Sequence, residues 1–154
     1  MIDDPGIYIG IGMVLSLFLT ETLGVTAGGI IVPGYIAMNL ENPYRLAITF
    51  FISIATYLII KLISRFVLVY GKRRLVLALL IGFILGYLSR TDKNIFVHLT
   101  QLDFVVIGNI IPGLIANWMD RQGVLRTIST ILITAGITKL FIMVISIYNL
   151  AGSN

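Results

Sequence analysis

Gly29-Ile-Ile-Val-Pro-Gly-Tyr-Ile-Ala37 and Gly108-Asn-Ile-Ile-Pro-Gly-Leu-Ile-Ala116 are one nine-residue motif written twice, 79 positions apart in a chain of 154 residues. Six of the nine positions are identical, and Val32/Ile111 is a conservative exchange. Proline lacks a backbone donor and clashes with the preceding turn, so a Pro-Gly pair breaks a helix. Such breaks at matching places in two halves predict a duplicated membrane fold with discontinuous helices facing one another.

Composition carries the membrane reading. The chain is 58% hydrophobic and 12% charged, with mean hydropathy +1.01, against roughly 25% charged residues in soluble domains. Residues 7–23, 46–70, 75–88 and 128–150 are apolar runs that reach or approach the ~20 residues a bilayer span requires. A fifth run, 104–119, is interrupted by Pro112-Gly113. The first run follows Asp3 and Asp4 instead of a basic segment, and no small-residue cleavage site follows it, so it is expected to remain as a span. The fold class predicted is an all-α membrane protein. It is a polytopic helical bundle with two internal repeats, each carrying a Pro-Gly-broken or re-entrant helix, in one integral-membrane domain over residues 1–154. The repeat halves are approximately 1–70 and 75–154. Gly28–Asn39 is short for an unassisted span, which favours a half-helix or re-entry there. Re-entry would leave two crossings per half and parallel halves; a full traverse would leave three and an inverted repeat.

The net charge is +4, and its placement is informative. Lys72, Arg73 and Arg74 cluster between two apolar runs, which assigns the Gly71–Arg74 loop to the cytoplasmic side and offers a docking surface for headgroups or an acidic partner. The chain has no cysteine and a single histidine, His98. Disulfide and thiolate chemistry are therefore excluded, His98 cannot form a metal cluster alone and is read as interfacial, and no metal site is expected. No phosphate-cradling loop, nucleophile elbow or nucleic-acid motif occurs. Any nucleotide chemistry is therefore expected on another chain, and no nucleic-acid partner is expected.

Candidate functional residues follow from the breaks and the isolated charges. Pro33 and Pro112 suit first helical turns, whose free amides favour an anion, and Gly34 and Gly113 allow close approach. Glu21, at the end of the first span, is expected either as a buried acid paired with a basic residue or the Pro-Gly amides, or in the headgroup layer. Thr49, Ser53, Thr56, Tyr57, Lys61 and Ser64 share one face, as do Thr127, Thr130, Thr134 and Thr138 beside Lys139. Those faces either line a wet path or consist of hydroxyls bonded back to their own helices. Lys139 lies close to mid-span and must pair, snorkel or face water. Gly82-x-x-x-Gly86 and the Gly12, Ser16, Thr20 series allow close packing, in the bundle or in a homo-oligomer.

The runs Thr20-Glu-Thr-Leu-Gly24, Gly28-Gly-Ile-Ile-Val-Pro-Gly-Tyr-Ile-Ala37, Phe51-Ile-Ser-Ile-Ala-Thr-Tyr57, Ser64-Arg-Phe66, Tyr70-Gly-Lys-Arg73, Pro112-Gly-Leu-Ile-Ala-Asn117 and Arg121-Gln-Gly123 together resemble the membrane subunit of poly-γ-glutamate synthase, the capsule-biosynthesis family called PgsC or CapC. The resemblance covers essentially the whole chain. It implies a multi-pass subunit of the bacterial inner membrane, beside a cytosolic ATP-dependent amide ligase and a membrane-anchored extracytoplasmic subunit. The family's catalytic residues, with ATP and Mg, are expected on the ligase; no catalytic residue and no cofactor are expected here. Poly-γ-glutamate is a polyanion that cannot cross hydrocarbon unaided. Pro33, Gly34, Pro112 and Gly113 are the expected constriction, with Lys61, Arg65, Arg121, Arg126 and Lys139 as counter-charges. The alternative is a small secondary transporter or anion channel on the same duplicated fold.

Overall fold

The computed structural model describes residues 5–66, 71–91 and 110–152. His98, the start of the run 104–119 and the first residues of the second Pro-Gly motif lie outside the described residues. Six helices occur among those described: α1 (Pro5–Leu23), α2 (Val32–Met38), α3 (Pro43–Ile63), α4 (Lys72–Thr91), α5 (Ile111–Gln122) and α6 (Val124–Gly152). No strand occurs among these residues.

The punctuation follows local chemistry. Gly24 ends α1 at φ 62°, its amide bonded to the Thr20 carbonyl at 2.9 Å. Gly123, at φ 92°, separates α5 from α6 within a single residue. Both are left-handed conformations that only glycine adopts cheaply. Prolines occupy the first turn of α2, α3 and α5, where their missing amide costs no helical bond.

Among the described residues two helices are long and apolar enough to cross a membrane: Pro43–Ile63 and the Val124–Tyr148 part of α6. At ~1.5 Å per residue, the 21 residues of α3 reach about the ~30 Å of a hydrocarbon core. Residues Gly6–Thr22 form a shorter apolar helix.

The packing is interlocked. The half-helix α2 lies against α1 and α6, α5 lies against α4 and α3, and α2 and α5 touch only lightly. Each broken element runs back along the helix before it. A Cβ on Gly12 would stand 2.6 Å from Gly34 Cα, and one on Gly34 would stand 2.7 Å from Ile9 Cα. A Cβ on Gly82 would stand 2.7 Å from Gly113 Cα, and one on Gly113 would stand 2.8 Å from Leu79 Cα. These are backbone-on-backbone crossings, which only glycine permits. The close-packing glycines Gly12 and Gly82 are thus used inside the chain.

These contacts locate the ends of the elements. Lys139 reaches both Glu41, just after α2, and the ring of Tyr8 in the first turn of α1. The chain from Leu23 to Glu41 therefore travels back to the end where α1 began, as an irregular stretch followed by a half-helix. At the opposite end, Arg74 at the start of α4 pairs with Asp120 at the end of α5.

The interior is built from α2, α5 and α6. Ala27, Val32, Ile36, Ile111, Ile115, Met119, Ile131 and Ala135 form the core between them. Polar residues are buried among these: Ser16, Thr49, Ser53, Thr56, Asn117, Thr127, Thr134 and Thr138. Large apolar side chains point outward instead, including Phe18, Phe51, Leu58, Leu80, Phe141 and Val144.

Candidate functional site

The Pro-Gly elements are buried at their crossings. Ile31 and Ile110 hold the N-cap positions with no side-chain cap, and Pro33, Gly34, Pro112 and Gly113 behind them are buried. The loop leading into α2 is fastened to the second element by one side chain. Gln122 Nε2 donates to the Thr26 carbonyl at 2.6 Å and to Thr127 Oγ1 at 3.1 Å. Its Oε1 accepts from the Thr26 amide at 3.3 Å and from Thr26 Oγ1 at 3.2 Å. Nearby, the Trp118 indole packs within 3.5 Å of where a Gly29 Cβ would stand, and Arg121 lies over the Trp118 ring at 5.2 Å. Sequence reasoning assigned no role to Thr26 or Gln122. They are 96 positions apart, and glutamine at a helix end carries no periodic signal.

Each broken element ends on a carboxylate held by a cation. Lys139 Nζ is 2.6 Å from Glu41 Oε1, and Arg74 pairs with Asp120. Glu41 and Asp120 keep the 79-residue spacing of the Pro-Gly motif. The Lys139 ammonium, by hydrogen bond first and by charge second, holds the Glu41 carboxyl below its ordinary range. Of the outcomes open to Lys139, pairing is the one observed, and its side chain is 14% exposed.

The threonine faces resolve in the same way. Thr49, Ser53, Thr56, Thr127, Thr134 and Thr138 are all 0% exposed. Their hydroxyls donate to carbonyls four residues back on their own helices, at 2.6–2.8 Å. In a single chain these hydroxyls face packed neighbours and have their donors engaged, so they are packing surfaces.

The remaining nominated charges divide by position. Arg65 just beyond α3, Lys72 and Arg73 opening α4, Arg121 closing α5 and Arg126 in the first turn of α6 are exposed at one end of the molecule. Lys61, near the end of α3, belongs with them; its Nζ contacts the Tyr57 hydroxyl at 3.3 Å. Lys139 is directed to the other end. Glu21, expected as a buried acid or in the headgroup layer, is on the exposed side of α1 in the single chain, because its position on the helix turns away from α2. A groove of about 460 Å³ runs along the last turns of α3, lined by Leu58, Ile59, Lys61, Leu62 and Arg65.

Among the described residues these features define a class: an all-helical protein with two helices long and apolar enough to cross a membrane, two glycine-locked half-length elements and the exposed cations grouped at one end. The model of the family described as "Capsule biosynthesis CapC" matches residues 11–128. The chain is 37% identical over 137 residues to the "Capsule biosynthesis protein CapC" of Bacillus anthracis, spanning 88% of this chain and 91% of that one. It is 32% identical over 137 residues to the "PGA biosynthesis protein CapC" of Bacillus subtilis (strain 168), again 88% and 91% of the two chains. No solved structure matches it. The chain belongs to the CapC capsule-biosynthesis family.

Proposed function

We propose that this chain is the multi-pass inner-membrane subunit of a poly-γ-glutamate synthase, supporting a cytosolic ATP-dependent amide ligase and guiding the polyanionic product outward. The observation that carries this reading is the grouping of Lys61, Arg65, Lys72, Arg73, Arg121 and Arg126 at one end of a chain whose relatives are named for capsule and PGA biosynthesis. That end is cytoplasmic by the positive-inside tendency. It supplies both a docking surface for the ligase and a first set of counter-charges for emerging carboxylates. ATP and Mg act on the ligase, and a membrane-anchored extracytoplasmic subunit receives the polymer.

The inverted distribution of polarity supports a multi-pass bundle. Threonines are buried while phenylalanines and leucines face outward, as suits a protein whose surroundings are hydrocarbon. The internal repeat is supported by the crossings, because Gly12 over Gly34 and Gly82 over Gly113 make the same contact. Glu41 beside the start of α1, and Arg74 paired with Asp120 at the opposite end, fit three traverses per half and an inverted repeat. Gly34 packs on Ile9 of α1 and Gly113 on Leu79 of α4, so a polymer path past the Pro-Gly pairs requires those crossings to part.

The test is co-purification from native membranes, followed by polymerisation from glutamate and ATP. The reading requires an ATP-dependent ligase in the preparation and glutamate polymer as product. A chain that purifies alone, and makes no polymer when ligase is added back, overturns it. The second reading, a secondary transporter or anion channel, is favoured by the paired half-helices. It requires small-anion flux from the chain reconstituted by itself.

A further inference from the structure

Lys61 and Arg65 stand one turn apart at the end of α3, a spacing that puts side chains side by side. Both are exposed, and neither has a carboxylate partner among the described residues. Lys61 is held in place: its Nζ lies 3.3 Å from the Tyr57 hydroxyl and 5.5 Å from the centre of the same ring. Directly toward the middle of α3, the groove of about 460 Å³ continues over Leu58, Ile59 and Leu62. Leu58 and Leu62, also one turn apart, are 56% and 58% exposed. The cavity is thus amphipathic along its length, with two cations at the basic end of the molecule and an apolar trough leading toward the centre of a candidate membrane span.

We propose that this groove is a binding site for an anionic phospholipid. The phosphate bridges the Lys61 ammonium and the Arg65 guanidinium, and one acyl chain lies over Leu62 and Leu58. The direction fits: a lipid of the cytoplasmic leaflet has its headgroup at the basic end and its chains toward mid-span. A charged polymer would gain from the two cations but would meet apolar walls beyond them, whereas a phospholipid matches both parts. Basic pockets on the cytoplasmic side of membrane helices recognise headgroups by this chemistry. The proposal rests on the membrane reading above and assigns Lys61 and Arg65 to lipid, leaving Lys72, Arg73, Arg121 and Arg126 to the ligase and the polymer.

The test uses the full chain purified in detergent, with phosphatidylglycerol or phosphatidylcholine added and bound lipid counted by native mass spectrometry. The wild-type chain should retain phosphatidylglycerol over phosphatidylcholine. The double variant Lys61→Gln/Arg65→Gln should lose that preference by about twenty-five-fold, each basic residue near an anionic group contributing a factor of about five. Lys61→Arg, which keeps the charge, should preserve it. Equal binding of the two lipids by wild type, or an unchanged preference in the groove variant, overturns the site. Displacement of the lipid by poly-γ-glutamate, with no lipid preference remaining, overturns it in favour of a polymer contact. Failure of the membrane reading itself looks different: wild-type chain would wash off membranes in alkaline carbonate, with or without lipid preference in detergent.

Discussion

Gly34→Ala tests whether the glycine crossing holds α2 on α1. The added Cβ would stand 2.7 Å from Ile9 Cα and 2.8 Å from the Tyr8 carbonyl oxygen. Ordinary carbon contacts lie near 3.5–4.0 Å, so α1 and α2 must separate by about 1 Å. The clashing atoms are helix backbone and cannot turn aside as a side-chain end would. Overpacking of this kind costs about 1–3 kcal/mol, and the upper half of that range applies when backbone must move. A 1 Å gap also forfeits up to about half of each dispersion contact along the α1–α2 seam. We expect Gly34→Ala, and equally Gly113→Ala, to lose about 2–3 kcal/mol in reversible unfolding by a denaturing detergent. Gly10→Ala and Gly136→Ala are the controls: both sites have nothing within 4 Å of the new methyl. Alanine should be neutral there or stabilise by up to about 1 kcal/mol, the helix-interior difference between the two residues. Gly34→Ala and Gly10→Ala unfolding together within about 0.5 kcal/mol would refute the reasoning, since the crossing would then be slack. Unequal losses at Gly34 and Gly113 would refute the equivalence of the two crossings.

Gln122→Ala removes every bond that fastens Thr26 and should cost about 1–3 kcal/mol in the same unfolding assay. Gln122→Glu, which keeps the acceptor but loses the Nε2 donor to the Thr26 carbonyl, should recover only part of it. Thr56→Val and Thr134→Val should leave stability within about 1 kcal/mol and polymer output unchanged, because those hydroxyls serve only their own helices. A fall in output with normal expression would put them back on a polar path. Lys139 depresses the Glu41 carboxyl below its ordinary value of 4.5, so the pair's stabilisation is full above that value and disappears as pH falls through and below it. The stability difference between wild type and Lys139→Met should therefore shrink between pH 6 and pH 3, and a constant difference would show that the pair carries none of it. Lys139→Met should also reduce polymer output while the ligase stays membrane-bound; unchanged output would leave this subunit a plain anchor.

Much of the architecture is legible in order along the chain. The half-helix at Val32–Met38, the breaks at both Pro-Gly pairs and the basic start of α4 all follow from residue chemistry within a few positions. The fate of the stripes was not legible, because a threonine face bonded to its own backbone and one lining water have the same spacing. The spacing did expose Lys139 as a residue that had to find a partner, yet the identity of that partner depended on a residue 98 positions earlier.

The sequence alone determined that the chain is apolar enough for helices to face hydrocarbon, where they must break, and that the Gly71–Arg74 loop is basic. Those are properties of composition and of a few proline, glycine and charged residues acting locally. Only the tertiary structure decided that α2 packs on α6 and α5 on α3, that Gln122 fastens Thr26, and that Glu41 returns to the start of α1 to meet Lys139. Helices that are apolar on every side carry no hydrophobic stripe to say which face turns inward. Close approach chooses the face instead, and it depends on where two glycines from distant parts of the chain come into register.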